Sequence, residues 1–214
     1  MPLHYPEFFE VRTLEQAREV ILTTLDTSTE ERWAKETPYL IELIGSELKL
    51  TRQSTVLDYG CGVGRIAKGL IETFGCRVIG MDPSFSMREL ARGYVQSDLF
   101  AVTDRDMLDW QGRGGLRVDG VICVWVLQHC LNPQDDIVRM SRMMSPHGRA
   151  FVLNNLRRAV PTRDVEWWDD GIDIRSMLQK SFNLLREGAP DAAHTSDLVA
   201  TETFWATYSV MAGR

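Results

Sequence analysis

The sequence predicts an α/β fold, doubly wound, with a largely parallel sheet behind a helical preface. Three observations carry that expectation. After about residue 50, short apolar runs alternate with segments of helical apolar spacing, the order that builds a sheet with helices on both faces. One run, Val118 to Val124, is almost continuously apolar, as a strand covered on both sides must be. The stretch V-L-D-Y-G-C-G-V-G-R-I-A-K-G-L, residues 56–70, reads as strand, glycine turn and helix start in direct succession. Bare glycine backbone lets a ligand lie against the main chain. The helix start adds unpaired N–H groups and a positive dipole end, which suit a carboxylate or phosphate.

The 214 residues, 44% apolar and 25% charged, suit one domain with a sizeable core and argue against wholesale disorder. We expect residues 1–214 to form that single domain, with 1–50 a helical cap and 51–214 the α/β core. A net charge of −6 and a pI near 5.3 give no general attraction to nucleic acid or an anionic membrane. A small-molecule partner is favoured. The N-terminus lacks a basic segment followed by an apolar one, so no secretory signal is expected. The longest apolar run, residues 121–127, is far too short to span a bilayer. Four cysteines without C-x-x-C spacing read as reduced thiols of a cytoplasmic protein.

In chain order, residues 14–25 have helical apolar spacing, opened by the capping box of Thr13 and Gln16. Ser28 with Glu31 signals a second helix, which Pro38 interrupts or restarts, and Leu40, Ile41, Ile44 and Leu48 continue an apolar face. The helix after the glycine loop runs to about Phe74, where Gly75 stops it. A second strand, Arg77 to Met81, delivers Asp82, 20 residues beyond Gly62. In a strand-helix-strand unit that spacing sets the acid at the tip of the neighbouring strand, where a carboxylate accepts from both hydroxyls of a ribose. Pro83 and the capping box of Ser86 and Glu89 start the next helix.

Phe100 to Thr103 is the third strand, followed by the acids Asp104 and Asp106. Residues 111–117, Q-G-R-G-G-L-R, lack the Lys-Ser/Thr of a phosphate loop and read as a surface turn. Asn132-Pro133 opens a helix filled by methionines; Pro146-His147-Gly148 ends it, and residues 149–153 form the fifth strand. Residues 154–170 are a long loop of the kind that often carries function. A helix over 173–181 and two final strands separated by a short connection complete the chain.

A dinucleotide fingerprint from Gly60 would require a glycine at position 65, where the sequence has Arg65. The pattern present, D-x-G-x-G-x-G, resembles motif I of the class I S-adenosylmethionine (SAM)-dependent methyltransferases. W-V-L-Q-H, residues 125–129, resembles motif IV of their small-molecule branch. The Asp/Asn-Pro-Pro-Tyr/Phe motif of members that methylate base amino groups or glutamine is absent there. The likeness is clear over about residues 50–155.

The resemblance implies a Rossmann-like, seven-stranded, mostly parallel sheet whose last strand is antiparallel, and SAM as cofactor. Asp58, Gly60, Gly62, Gly64, Asp82, Pro83 and Val124 would hold it. Asp106 would accept from the adenine amino group and Met107 would wall the ring, with Asp104 the competing acid. Arg65 is expected in solvent. His129 is either the base that takes a proton from the acceptor or a residue that caps a helix or hydrogen-bonds within the preface. Trp33 and Tyr39 either shape the acceptor mouth or pack the preface onto the sheet. Trp167 and Trp168 either wall the acceptor or anchor their loop. No metal spacing is present. The implied activity is methyl transfer to O or N of a small molecule; a silent SAM-binding scaffold and, less favoured, a nicotinamide-dependent oxidoreductase are the alternatives.

Overall fold

The computed structural model describes residues 3–22, 28–164 and 167–211. Its strands are β1 (Thr55–Tyr59), β2 (Arg77–Met81), β3 (Phe100–Thr103), β4 (Val118–Val124), β5 (Met144–Asn155), β6 (Val160–Pro161), β7 (Trp167–Trp168), β8 (Phe182–Gly188) and β9 (Thr203–Val210). Seven of them form one sheet in the order β3-β2-β1-β4-β5-β9-β8, and β6 pairs with β7 alone. Every neighbour in the first five is parallel. Strand β9 runs antiparallel to both β5 and β8, so the sheet is the expected one.

Period-two alternation divides the strand side chains between two helical layers. Leu57, Tyr59, Val121 and Cys123 pack with Leu108 of α5 (Arg105–Arg113), Ile137 and Met140 of α6 (Pro133–Met143), and Leu178 of α7 (Ile174–Ser181). Val56, Ile122, Phe151 and Leu153 face the other way. They meet Ile44 of α2 (Thr29–Leu48), Ile66 and Leu70 of α3 (Arg65–Phe74), and Val95 of α4 (Phe85–Val95). The remaining helices are α1 (Leu14–Ile21) and α8 (Asp197–Glu202). The preface is tied to the far end of the sheet by buried Glu47, which accepts from Arg186 at 2.7 Å and from the Thr207 hydroxyl at 3.1 Å.

Several boundaries differ from expectation for identifiable reasons. Helix α1 ends at Ile21, and residues 23–25 of the expected helix lie outside the described ones. Pro38 sits inside an unbroken α2. In the same turn the Thr37 hydroxyl donates to the Trp33 carbonyl at 2.6 Å. Ser84, rather than Ser86, caps α4, accepting from Met87 N–H at 3.2 Å. Ser86 is used otherwise: its hydroxyl accepts from Val11 N–H at 3.1 Å and donates to Glu10 at 2.9 Å. Strand β5 begins at Met144, and a register shift against β4 absorbs Pro146-His147-Gly148. The connection between the last two strands, expected to be short, contains α8.

Candidate active site

At the carboxyl ends of β1, β2 and β4 lies a cavity of about 430 Å³. Strand order reverses about β1 and β4, which is where open α/β sheets place ligands. Gly60 and Gly62 line it with φ of +77° and +52°, the left-handed region that a side chain disfavours. A Cβ on Gly60 would stand 2.4 Å from Cγ2 of Val126. The loop is stitched to the tip of β2. Gly60 and Cys61 N–H both donate to the Met81 carbonyl, at 2.7 and 3.0 Å. Gly62 N–H donates to Asp82 Oδ2 at 2.9 Å and Ser84 N–H to Asp82 Oδ1 at 2.9 Å. Each oxygen of Asp82 keeps a lone pair for a hydroxyl.

Burial raises the carboxyl of Asp82 to about 6 and that of Asp58 to about 7, the latter helped by the neighbouring Asp82 charge. Oδ2 of Asp58 has no protein partner, and neither has Nε of Arg65. Arg65, expected in solvent, is 3% exposed and forms part of the cavity wall. The correction has a tertiary cause: α2 covers it. Its guanidinium donates to the Thr37 hydroxyl at 3.2 Å and lies 5.5 Å from the Trp33 ring; burial lowers its pKa to about 10. A buried carboxyl and a buried guanidinium on the wall of one cavity suit a ligand bearing both charges. The amino-acid end of SAM, an α-ammonium beside an α-carboxylate, fits that demand.

Pro83 and Val124 also line the cavity. The remaining residues expected on the cofactor side stand elsewhere. Gly64 caps α3 and faces Val95 and Phe100 behind the wall. Asp106 and Met107 are exposed in the first turn of α5. Asp104 caps that helix by accepting from Met107 N–H at 2.9 Å. From this turn Arg105 reaches the cavity, with its guanidinium 3.3 Å from buried Asp136. Trp33 lies beneath Arg18 and Arg65 and edge-on to Tyr94. Tyr39 stacks on His194 at 5.1 Å and accepts from Asp191 N–H at 3.1 Å.

On the opposite wall, β4 runs into Trp125, held at φ +61°, a conformation costly for a bulky side chain. Trp125 and Val126 line the cavity, and the indole N–H has no protein partner. Four residues later the ring of His129 faces the same space. Its Nδ1 is 2.6 Å from the Ala159 carbonyl. A carbonyl only accepts, so Nδ1 carries the hydrogen and Nε2 bears the lone pair. Nε2 is 3.2 Å from the side-chain nitrogen of Gln128. Burial, followed by the charge of Arg158, lowers the imidazole to about 4, so it is neutral at pH 7. It neither caps a helix nor hydrogen-bonds within the preface; Phe9 touches it at 5.4 Å and Trp167 at 5.2 Å.

The mouth is roofed by the N-terminal segment. His4 bridges to Thr162, Tyr5 N–H donates to the Pro161 carbonyl at 3.0 Å and Arg163 N–H to the Leu3 carbonyl at 3.1 Å. A 3₁₀ turn, Pro6–Phe9, then carries Phe9 to the cavity. Trp167 backs this roof, edge-on to Phe8 at 4.7 Å, while Trp168 pairs with Val160 in the β6–β7 ladder. Phe9, Arg105 and Trp125 were not singled out from sequence. For Trp125 a signal existed, since it immediately follows the carboxyl end of the central strand. Among the described residues no group of three His, Cys, Asp or Glu side chains could hold a metal ion. No described helix is long and apolar enough to cross a membrane.

Comparison with known proteins places this geometry in context. Residues 57–152 match a methyltransferase domain. The chain is 30% identical over 144 residues to N-demethylindolmycin N-methyltransferase of Streptomyces griseus, covering 65% of this chain and 52% of that protein. It is 28% identical over 123 residues to ubiquinone biosynthesis O-methyltransferase of Rickettsia canadensis, covering 56% and 52%. The chain therefore spans about half the length of these relatives. Geranyl diphosphate C-methyltransferase from Streptomyces coelicolor, solved with Mg²⁺, geranyl-S-thiolodiphosphate and S-adenosyl-L-homocysteine, superposes with a TM-score of 0.62 at 15% identity, over 81% of this chain and 76% of that one. At that identity the likeness is one of fold. The glycine loop, the strand order with its reversed β9 and the matched domain agree: residues 57–152 carry a methyltransferase domain, and the fold is that of the class I S-adenosylmethionine-dependent methyltransferases.

Proposed function

We propose that this chain is a SAM-dependent methyltransferase that delivers a methyl group to oxygen or nitrogen of a small-molecule acceptor. The observation that carries the reading is one cavity with complementary walls. On one side are buried Asp58, Arg65 and Asp82; on the other is a neutral imidazole whose Nδ1–H is engaged. When bound, SAM supplies an electrophilic methyl on a sulfonium. Asp58 and Arg65 hold its amino-acid end, Asp82 its ribose hydroxyls, and Gly60, Gly62, Pro83 and Val124 line the bed. Holding donor and acceptor in line contributes roughly 7–11 kcal/mol in favourable cases.

His129 accepts the acceptor's proton at Nε2, which requires Gln128 to yield that lone pair. Phe9 and Trp125 give the acceptor an uncharged wall and exclude water, while Ile21 packs beside Gly62 on the cofactor side. The relatives' names, one an N-methyltransferase and one an O-methyltransferase, support either atom. Unpaired thiols at Cys61, Cys76, Cys123 and Cys130 fit a cytoplasmic setting. Calorimetric titration with SAM, S-adenosylhomocysteine and NADH tests the reading. Micromolar binding of the first two, weakened about 100-fold or more in Asp82→Ala by loss of a buried double acceptor, is expected. Binding of NADH alone would overturn it.

A further inference from the structure

We propose that Arg158 and Asp170 form a clamp that positions His129 and sets which of its ring nitrogens carries the hydrogen. This rests on the reading of His129 as proton acceptor. The turn that bears His129 is bonded at each of four successive residues to Arg158 or Ala159 of the distant 154–170 segment, and Asn154 of that segment adds one bond, its Oδ1 accepting from Gln128 N–H at 3.1 Å. The Arg158 guanidinium donates to the carbonyls of Leu127 and Cys130, at the two ends of the turn. Ala159 N–H donates to the Gln128 carbonyl at 2.9 Å, and the Ala159 carbonyl accepts from His129 Nδ1 at 2.6 Å. Arg158 thus fixes the backbone of the turn, and its chain neighbour fixes the ring.

Asp170 makes that arrangement possible. Arg158 is only 4% exposed, and an unpaired guanidinium at such a site carries a large desolvation cost. Asp170 neutralises it through both carboxylate oxygens, at 3.1 Å from Nε and 3.3 Å from a terminal nitrogen. Asp170 is itself aimed by Ile172 N–H at 3.1 Å. The planar fork therefore serves a carboxylate and two carbonyls at once. A lysine ammonium, a point charge on a flexible stem, does not reproduce that geometry. A neutral histidine in water favours the hydrogen on Nε2. Here the Ala159 carbonyl reverses that preference and leaves Nε2 as the lone pair in the cavity. Because Ala159 is adjacent to Arg158, displacing the guanidinium moves the carbonyl that enforces the tautomer.

The test is two-bond ¹H–¹⁵N correlation spectroscopy on the labelled full chain, with His129 signals assigned by their loss in His129→Gln. The wild type is expected in the Nδ1–H form. Arg158→Lys and Asp170→Asn are expected to lose it in favour of a mixed or Nε2–H form, with SAM affinity by calorimetry changed less than about threefold and methyl turnover down roughly tenfold or more. A plainly structural ion pair would lower the melting temperature without moving the tautomer. Unchanged Nδ1–H signals in both folded variants would overturn the clamp. Should Arg158→Lys fail to fold, Asp170→Asn decides, since it keeps the guanidinium and both carbonyl bonds available. His129→Gln separates the two ideas: full turnover in that variant removes the proton-acceptor reading, whereas the clamp stands or falls on the tautomer alone.

Discussion

On the cofactor side of the cavity, at two adjacent strand tips, Gly60 N–H donates to the Met81 carbonyl while Gly62 and Ser84 N–H donate to the Asp82 carboxylate. On the acceptor side, His129 owes its orientation to Ala159, thirty residues along the chain, and its surroundings to Phe9 and Trp167. The first wall is built by backbone conformation and can be read as a spacing. The second is built by tertiary contacts among segments with no fixed spacing. The same contrast appears in titration: burial makes Asp58 and Asp82 hold protons more tightly than in an unfolded chain, while it makes His129 hold one less tightly.

The most damaging test of this contrast is Gly60→Val. A branched side chain at φ +77°, with its Cβ 2.4 Å from Val126, combines backbone strain with overpacking and is expected to cost about 3 kcal/mol and abolish SAM binding. Thermal unfolding and calorimetry read both effects; wild-type values would mean that the loop is not what holds the cofactor wall. His129→Gln should do the reverse, cutting turnover by about 10²- to 10⁴-fold while leaving SAM affinity unchanged. Loss of SAM affinity in that variant would merge the two walls into one unit.

A smaller effect concerns protons. Burial raises the carboxyls of Asp58 and Asp82 from 3.8 to about 7 and about 6. Between those values the folded chain binds more protons than the unfolded one, so their contribution to stability falls as pH rises from about 4 to 7. An ammonium and hydroxyl donors favour the ionised carboxylates, so SAM binding near pH 6 to 7 releases protons. Calorimetry in buffers of different ionisation enthalpy measures the release, and proton uptake would contradict the assignment. Smallest of all, Asp106→Ala and Met107→Ala, exposed on α5, should change stability by under about 0.5 kcal/mol and SAM affinity not at all. A tenfold loss of affinity would return the adenine contact to those residues.

The difference between the walls also explains what the sequence made legible. Strands β2, β3 and β4 follow their apolar runs to the residue, and Asp82 stands beside the glycine loop as its spacing required, because each depends on neighbours within one strand-helix-strand unit. Arg65 was misread because its burial is decided by Thr37 and Trp33 of α2, which local periodicity does not bring near it. Ser84, not the expected Ser86, caps α4, which shows the limit of cap assignment: several short polar residues precede the helix, and only the path of the chain selects one. The roles of Arg158, Ala159 and Phe9 had no local signature, since each acts on a turn from another part of the chain.

The roof over the mouth has a consequence for ligand traffic. Its attachment to the 160–163 segment includes the main-chain bonds from Tyr5 to Pro161 and from Arg163 to Leu3, the His4–Thr162 bridge and the Arg163 guanidinium 5.4 Å from the Tyr5 ring. None of these belongs to the seven-stranded sheet. At roughly 1 kcal/mol net for each hydrogen bond, peeling that attachment back is a local opening, cheap beside global unfolding. Entry and departure of bound molecules can therefore proceed by fraying at one margin while the sheet keeps every pairing intact.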